Sequence, residues 1–277
     1  MRKATFYSAF WENIMNQNVR KITEGAMMVA LIGVFMLIDR QFQGTFSSMF
    51  VFLLPLPMVY FGAKYGLRDS LMVLAAIIFV SFIFASPFAV FFFVAEAIIG
   101  LVYGCGIYQN VESKRLLLRT MVLGGLTELL AVVINVAIFG VSFDQLVLEL
   151  RETFDMMQQS MGLAVNSNVD INVLLRNVFF VSTLMLGVLE AIVTHISSRL
   201  LLKRLRMKVP ESTPLYLYFP PKWIGYVALV GMFGYLYVGS GYIKTEPALT
   251  IISALGTFAY FYLTAMGVVG FLVMIGL

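Results

Sequence analysis

Charge, cysteine and histidine are all scarce in this chain of 277 residues. Only 12% of its residues are charged, whereas about a quarter are charged in an ordinary soluble domain, and 60% are hydrophobic. The single cysteine, Cys105, excludes an internal disulfide, a paired-cysteine zinc site and a cysteine-bound iron–sulfur cluster within the chain. The single histidine, His195, argues against most histidine-built metal sites. We therefore predict an integral membrane protein with no metal site and no cofactor.

Long uncharged runs supply the fold prediction. A helix needs about 20 apolar residues to cross the ~30 Å hydrocarbon core. The sequence predicts an all-α, polytopic transmembrane helix bundle with about eight crossings. The candidate crossings are Ile22–Ile38, Phe46–Gly62, Leu71–Ala85, Phe88–Tyr108, Leu116–Val141, Val178–Ser198, Ile224–Gly239 and a segment from Ala248 onward. Ser86 and Pro87 are predicted to form the corner between the third and fourth crossings, because proline and the residue before it disfavour continued helix. That last uncharged segment predicts either one long tilted helix or a chain cut inside a ninth hydrophobic segment.

Basic residues predict the orientation. The chain has 19 Lys and Arg against 15 Asp and Glu, a net charge of +4 that does not by itself indicate nucleic-acid binding. With the N-terminus in the cytoplasm, fifteen of the 19 basic residues fall on the cytoplasmic side. The outer side then holds only Arg40, Arg151, Arg176 and Lys244. We therefore predict a cytoplasmic N-terminus, a location in the inner (cytoplasmic) membrane, contact with the lipid bilayer and no nucleic-acid partner.

Three regions follow from this topology. Residues 1–21 lack the apolar core of a signal peptide and predict a cytoplasmic segment, either an interfacial helix or a disordered tail. Residues 22–208 form a six-helix membrane domain. Residues 209–277 form a basic, proline-rich cytoplasmic connector followed by two hydrophobic segments.

The outer loop between the fifth and sixth crossings has helical periodicity over about residues 142–161. Apolar residues recur there every three or four positions, namely Phe143, Leu146, Leu150, Phe154, Met157 and Met161. The opposite face is acidic. This amphipathic helix is predicted either to connect two crossings while lying on a surface or to cover an outward-facing pocket as a lid.

Three carboxyl side chains lie within predicted crossings, on three consecutive helices: Glu96, Glu128 and Glu190. An ionisable group at membrane depth costs at least ~2.5 kcal/mol on insertion scales. The three could line one cavity that binds a cation, carries protons or holds an amine-bearing ligand. Alternatively, each acid is protonated and hydrogen-bonded to a nearby carbonyl or hydroxyl group. Glu190 and His195 are also close enough to the predicted cytoplasmic rim to extend towards it.

Signals for catalysis are weak. His195 follows Glu190 by five residues, which is not the spacing of a zinc-protease helix. The chain has no GxSxG sequence and no phosphate-binding loop. We predict that the protein is not an enzyme and has no catalytic residue, and that any transport would take its energy from a partner.

Two short blocks carry a family resemblance. They are Thr23 to Leu31 (TEGAMMVAL), and Leu54 to Met58 (LPLPM) followed by Gly62 to Asp69 (GAKYGLRD). They resemble the opening of the substrate-binding (S) components of energy-coupling factor (ECF) vitamin transporters, and more closely that of YybS-type bacterial membrane proteins. The resemblance extends over roughly residues 20 to 208. The outer amphipathic helix and the additional terminal segments depart from the S-component pattern.

The resemblance implies a six-helix bundle whose first helix docks on a membrane coupling subunit through Ala26 and Ala30. It also implies a ligand near the outer face. Carried onto this chain, the ligand-binding candidates are Gln41, Gln43, Glu96, Glu128 and Asn135, to which the position of Glu190 inside a crossing adds one more.

We therefore expect a multi-pass protein that binds or transports a small-molecule ligand and has no ATPase of its own. A second hypothesis is a membrane scaffold or assembly factor that holds another membrane protein. A third is a proton- or cation-coupled carrier.

Overall fold

The computed structural model describes residues 2–140, 143–161, 171–211, 221–239 and 246–274. Within these ranges the chain forms α-helices, turns and one short 3-10 helix, and no β-strand. The helices are α1 (Arg2–Gln41), α2 (Thr45–Met49), α3 (Leu56–Phe84), α4 (Pro87–Tyr108), α5 (Ser113–Phe139), α6 (Phe143–Met161), α7 (Ile171–Arg204), α8 (Lys222–Gly239) and α9 (Glu246–Met274). The predicted all-helical class is confirmed.

Five stretches of the described residues are long and apolar enough to cross a membrane. They are Asn18–Gln41, Val51–Phe84, Ala89–Tyr108, Ser113–Ala137 and Val178–Arg204. The membrane class of the protein rests on these stretches. The larger count of about eight crossings and the cytoplasmic N-terminus stay predictions.

Helix α3 is interrupted at Gly66. This residue has φ 77° and ψ −173°, a conformation that glycine adopts without the penalty a side chain would bring. The interruption falls between the predicted second and third crossings. The third, Leu71–Ala85, lies within α3 except for its last residue, whereas only Leu56–Gly62 of the second does, because the chain before Leu56 forms α2 and the short 3-10 helix Val51–Leu53. The predicted corner at Ser86 and Pro87 is where α3 ends and α4 begins, with the Ser86 hydroxyl accepting the Ala89 amide at 3.3 Å.

By packing, the chain divides into two units, Met1–Ala131 with Gly187–Ser212, and Val132–Leu186 with Thr213–Leu277. In the first unit, α1, α3 and α4 enclose an apolar core that includes Met28, Met58 and Phe93. Helix α4 lies close to the first half of α3, because a Cβ atom built at Gly104 would approach the Val59 carbonyl oxygen to 2.5 Å. The absence of a side chain at Gly104 is what allows the two backbones to approach so closely.

The second unit contains α6, α8 and α9 together with parts of α5 and α7. Helices α8 and α9 pack together, with Gly256 against the Tyr235 side chain. Helix α6 occupies the segment expected to be amphipathic. Of its described side chains, Val147 is buried and Met157 is 50% exposed. Ser142, the predicted start of this helix, and residues 212–220 of the predicted connector lie outside the described residues. The domain boundary at residue 208 stays a prediction.

Candidate functional site

Helices α5 and α7 touch at two glycines. A Cβ atom built at Gly187 would lie only 2.6 Å from the carbonyl carbon of Gly124, so a larger residue at this crossing would collide with backbone. Ser113, at the start of α5, contacts His195 and Arg199 near the end of α7. The two contacts together make the helices antiparallel. Glu128 and Glu190 therefore lie on opposite sides of the glycine crossing, about 10 Å apart along the bundle at 1.5 Å per residue.

Helix α4 ends at Tyr108 and α5 begins at Ser113, so a short turn joins them and the two helices run in opposite directions. Because α5 is also antiparallel to α7, α4 and α7 run in the same direction. The Tyr103 hydroxyl lies 3.0 Å from His195 Nδ1, which fixes the relative level of the two helices. Glu96 precedes Tyr103 by seven residues, and Glu190 precedes His195 by five. The two acids therefore lie within about 3 Å of the same level.

The Glu96 and Glu190 side chains are buried, with 0% and 7% of their surface exposed. Each carboxyl lies within electrostatic range of the other, and Glu128, which is half-buried, is within range of both. No N–H or hydroxyl group among the described residues donates to either Glu96 oxygen or to Glu190 Oε1, and the two carboxyls are close enough to share one proton in a hydrogen bond. The three predicted acids thus form one cluster, which the sequence could not establish because it does not fix helix rotation.

A polar network lies beyond the acids, towards the end of α7. Besides the Tyr103 contact, His195 Nε2 lies 3.3 Å from Ser113 Oγ. Arg199 donates from Nη1 to Ser113 Oγ at 3.0 Å and from Nη2 to the Pro210 carbonyl oxygen at 2.6 Å. His195 is 8% exposed and Arg199 is 7% exposed, so neither extends to an open rim. From Glu128 to the level of Ser113, polar groups occupy about 22 Å of the bundle.

The remaining predicted ligand residues are Gln41, Gln43 and Asn135. Gln41 is the last residue of α1, and Gln43 follows in a turn with φ 53°. Both glutamine side chains are exposed. Asn135 is half-buried in α5 and belongs to the second unit, whereas the three acids belong to the first. The ligand-binding roles of these three residues stay predictions.

The structure brings together the two motif blocks that carried the family resemblance. Glu24 of α1 accepts hydrogen bonds from Arg20 Nε at 2.9 Å, Tyr60 Oη at 3.1 Å and Lys64 Nζ at 2.6 Å. We call these four residues the Glu24 cluster. From the sequence, the basic residues of this cluster predicted only which side of the membrane their segments occupy. A carboxyl in one motif block and a lysine in the other were the signal for this contact.

An open groove of about 710 Å³ runs along α1 and the second half of α3. Ala26 and Ala30, the predicted docking residues, line it and are exposed. At one end of the groove Lys21 forms an ion pair with Asp69 at 2.8 Å. The surface is therefore apolar along most of its length, with a charged end.

The part of the chain that the structure describes contains no candidate metal site. No group of three or more His, Cys, Asp and Glu side chains there has the arrangement of a metal site. The Glu96, Glu128 and Glu190 carboxyls are close enough to interact but are not gathered around one ion. The cluster is suited instead to a ligand that brings its own hydrogen-bond donors, such as an ammonium group or water.

A protein-family model matches most of this chain. The family model described as "Predicted membrane protein (DUF2232)" matches residues 27–273, which is most of the chain. No curated protein and no solved structure matches the chain.

Proposed function

For this chain, which belongs to the DUF2232 family of predicted membrane proteins, we propose that it binds a small cationic solute as the recognition component of a transport system. The proposed site is the carboxyl cluster of Glu96, Glu128 and Glu190. The protein would lie in the cytoplasmic membrane with about eight crossings and a cytoplasmic N-terminus, as its hydrophobic segments and basic residues predict.

One observation carries the proposal. Glu96 is completely buried, yet no N–H or hydroxyl group among the described residues donates to its carboxyl oxygens, and the group within hydrogen-bonding reach is another acid, Glu190. Buried polar atoms almost always have partners, because an unsatisfied one costs about 1–3 kcal/mol and a charged one more. Two further carboxyls lie within electrostatic range. A ligand with several N–H donors and a positive charge would satisfy all of these oxygens.

The nearest described cation along α7 does not neutralise the acids. Arg199 follows Glu190 by nine residues, about 13 Å along the helix, and its guanidinium donates to Ser113 and Pro210. Three acids with no counter-charge beside them among the described residues favour a cation over an anionic solute, because a cation would pair with any of the carboxyls that is ionised. This argument selects the chemical class of the ligand.

A partner subunit would supply the energy for transport. The groove that contains Ala26 and Ala30 supports this part of the proposal, because small exposed residues let a second helix approach closely. The resemblance to ECF S components points to the same surface. A helix of a membrane coupling subunit is the proposed occupant.

The binding proposal is tested by thermal unfolding of the protein purified in mild detergent. The probes are the chlorides of sodium, potassium, ammonium and ethanolammonium, balanced at constant ionic strength with N-methylglucamine. A ligand at a hundredfold excess over its Kd stabilises the folded state by about 2.7 kcal/mol, so at least one probe should raise the Tm.

Isosteric variants locate the effect. Glu96→Gln and Glu190→Gln should abolish the increase in Tm, because they remove the charge and keep the side-chain size. Glu112→Gln is the control, since its carboxylate pairs with Arg115 and is 72% exposed. No increase with any probe, or an increase that survives Glu96→Gln, would overturn the proposal.

A further inference from the structure

Two hydroxyl groups of α7 differ from the other helical hydroxyls. Serine and threonine within helices commonly donate to the carbonyl one turn earlier. Such bonds are made by Ser70 to Gly66, Thr120 to Leu116, Thr183 to Phe179 and Thr257 to Ser253. Thr194 and Ser198 are both 0% exposed, yet their oxygens have no partner among the described residues. Their hydroxyls are therefore available to something other than the backbone.

These hydroxyls continue the line of the buried acids. Glu190, Thr194 and Ser198 are four residues apart and so share one face of α7, at steps of about 6 Å. Unpartnered buried oxygens occur on all three of these side chains and on Glu96, which lies at the level of Glu190. A row of unsatisfied polar atoms in a protein interior is where ordered water binds, typically with two to four polar partners for each molecule.

Charged and titratable groups face this row from each of the three helices that form it. Helix α4 contributes Glu96 and Tyr103, and α5 contributes Glu128. Helix α7 contributes Glu190, His195 and Arg199. The hydrogen bonds of Tyr103, His195 and Arg199 tie these side chains to one another and to Ser113.

Helix α3 packs against Tyr103 with Val59 and Ala63, which are apolar. Its Lys64 is bound to Glu24. The row of hydroxyls therefore has carboxyls at one end and a fixed guanidinium near the other.

We infer that Thr194 and Ser198 bind a row of ordered waters through which the carboxyls of Glu96 and Glu190 exchange protons with the aqueous phase at the end of α7. In each step a carboxyl O–H bond breaks as a new O–H bond forms on the adjacent water, and that water passes another of its protons onward. Each hydroxyl accepts one proton and donates its own, so no group is consumed. The inference rests on the proposed function in that it concerns the same carboxyls, and it describes how their charge could change when a cation binds.

The positive charge of Arg199 should slow this proton exchange. Its positive charge lies beside the end of the row and disfavours a hydronium ion there. Exchange should therefore be slower than in an open cavity, and it should become faster when the charge at position 199 is removed.

Infrared spectroscopy of the protein in dioleoylphosphatidylcholine vesicles tests this inference without any solute. The pH is lowered until a protonated carboxyl C=O band appears that is missing in Glu96→Gln, and the vesicles are then moved into D₂O. The frequency shift of this band reports exchange of the Glu96 proton. The double variant Thr194→Val, Ser198→Ala should slow the exchange at least tenfold, because it removes both hydroxyls and keeps the side chains of similar size.

Two matched variants complete the experiment. Thr120→Val should exchange at the wild-type rate, because the Thr120 hydroxyl is already bonded to the Leu116 carbonyl. Arg199→Gln should exchange several times faster. Wild-type rates in the double variant, or a Glu96 band that does not shift in the wild type after days, would overturn the inference. Either result would leave cation binding intact, since that is measured separately by the increase in Tm.

Discussion

Two glutamates of the first unit, the half-buried Glu24 and the buried Glu96, have opposite surroundings. Glu24 is 15% exposed and accepts from Arg20, Tyr60 and Lys64, so its charge is matched within the fold. Glu96 is 0% exposed and has no such partner in the described part of the chain. Because burying a charge is favourable only when it is paired and hydrogen-bonded, the two carboxyls cannot have the same role. Glu24 stabilises the contact of α1 with α3, whereas Glu96 is the residue for which we propose a ligand.

The surroundings of Glu24 and Glu96 also differ in the kind of contact that joins their helices. The Glu24 cluster connects α1 to the first half of α3, and the nearby pair of Lys21 with Asp69 connects α1 to the second half. These two contacts flank the interruption at Gly66. The acids lie instead among α4, α5 and α7, where glycine contacts bring the backbones close and no described ion pair crosses. Close backbone packing therefore holds the helices of the acid cluster together, whereas ion pairs hold the helices of the Glu24 cluster together.

The largest expected effect comes from removing that packing. Gly187→Ala places a Cβ atom 2.6 Å from the Gly124 carbonyl carbon and forces α5 and α7 apart. We expect a loss of about 1–3 kcal/mol in the free energy of unfolding, measured in mixed detergent micelles. Gly225→Ala in α8 is the control, since a Cβ there would meet nothing within 4 Å. Equal losses in the two variants would contradict the close crossing.

The second prediction applies one substitution to both carboxyls. Glu24→Gln should lower the free energy of unfolding by about 1–3 kcal/mol, because it removes the negative charge and replaces one of the two oxygens that accept from Lys64, Arg20 and Tyr60 with an NH₂ donor. Glu96→Gln should leave the free energy of unfolding unchanged or raise it, because it removes a buried carboxyl that receives no N–H or hydroxyl donor from the described residues and gives Glu190 an amide donor instead. The same unfolding measurement compares the two. A loss at Glu96 as large as that at Glu24 would show that the folded protein already satisfies the Glu96 carboxyl.

The smallest expected effect on stability is at the groove beside the Glu24 cluster. Ala30 is exposed, so Ala30→Leu should change the free energy of unfolding by less than about 0.5 kcal/mol. The added side chain would fill the space in which the proposed partner helix packs, and the coupling subunit should no longer co-purify from bacterial membranes. Ala75→Leu is the control, an exposed alanine of α3 that does not line the groove. Unchanged co-purification would argue against docking at this surface.

How far the sequence predicted the fold varies between features. Hydrophobic runs and prolines predicted the helical membrane class and the corner at Ser86 and Pro87, because both depend on local composition. The interruption at Gly66 was not predicted as a break inside one long helix. A single glycine gives no sequence signal for its backbone angles, which depend on the helices on either side and on the Tyr108 ring next to it.

The candidate site was partly predictable for a similar reason. Glu96, Glu128 and Glu190 were identified because an acid inside an apolar run is conspicuous. Thr194 and Ser198 were not assigned to the site, since hydroxyls are common in membrane helices and usually bond to their own backbone. Gln41 and Gln43 were predicted from the resemblance alone, and both are exposed.

The sequence by itself determined that this is an all-helical membrane protein with three acids within its apolar segments, because insertion into a bilayer depends on the hydrophobicity of each segment separately. Only the tertiary structure decided that Glu24 is paired while Glu96 is not. The pairing of a buried charge depends on the rotation and level of neighbouring helices. Those are fixed by contacts far apart in sequence, such as Gly124 with Gly187 and Tyr103 with His195.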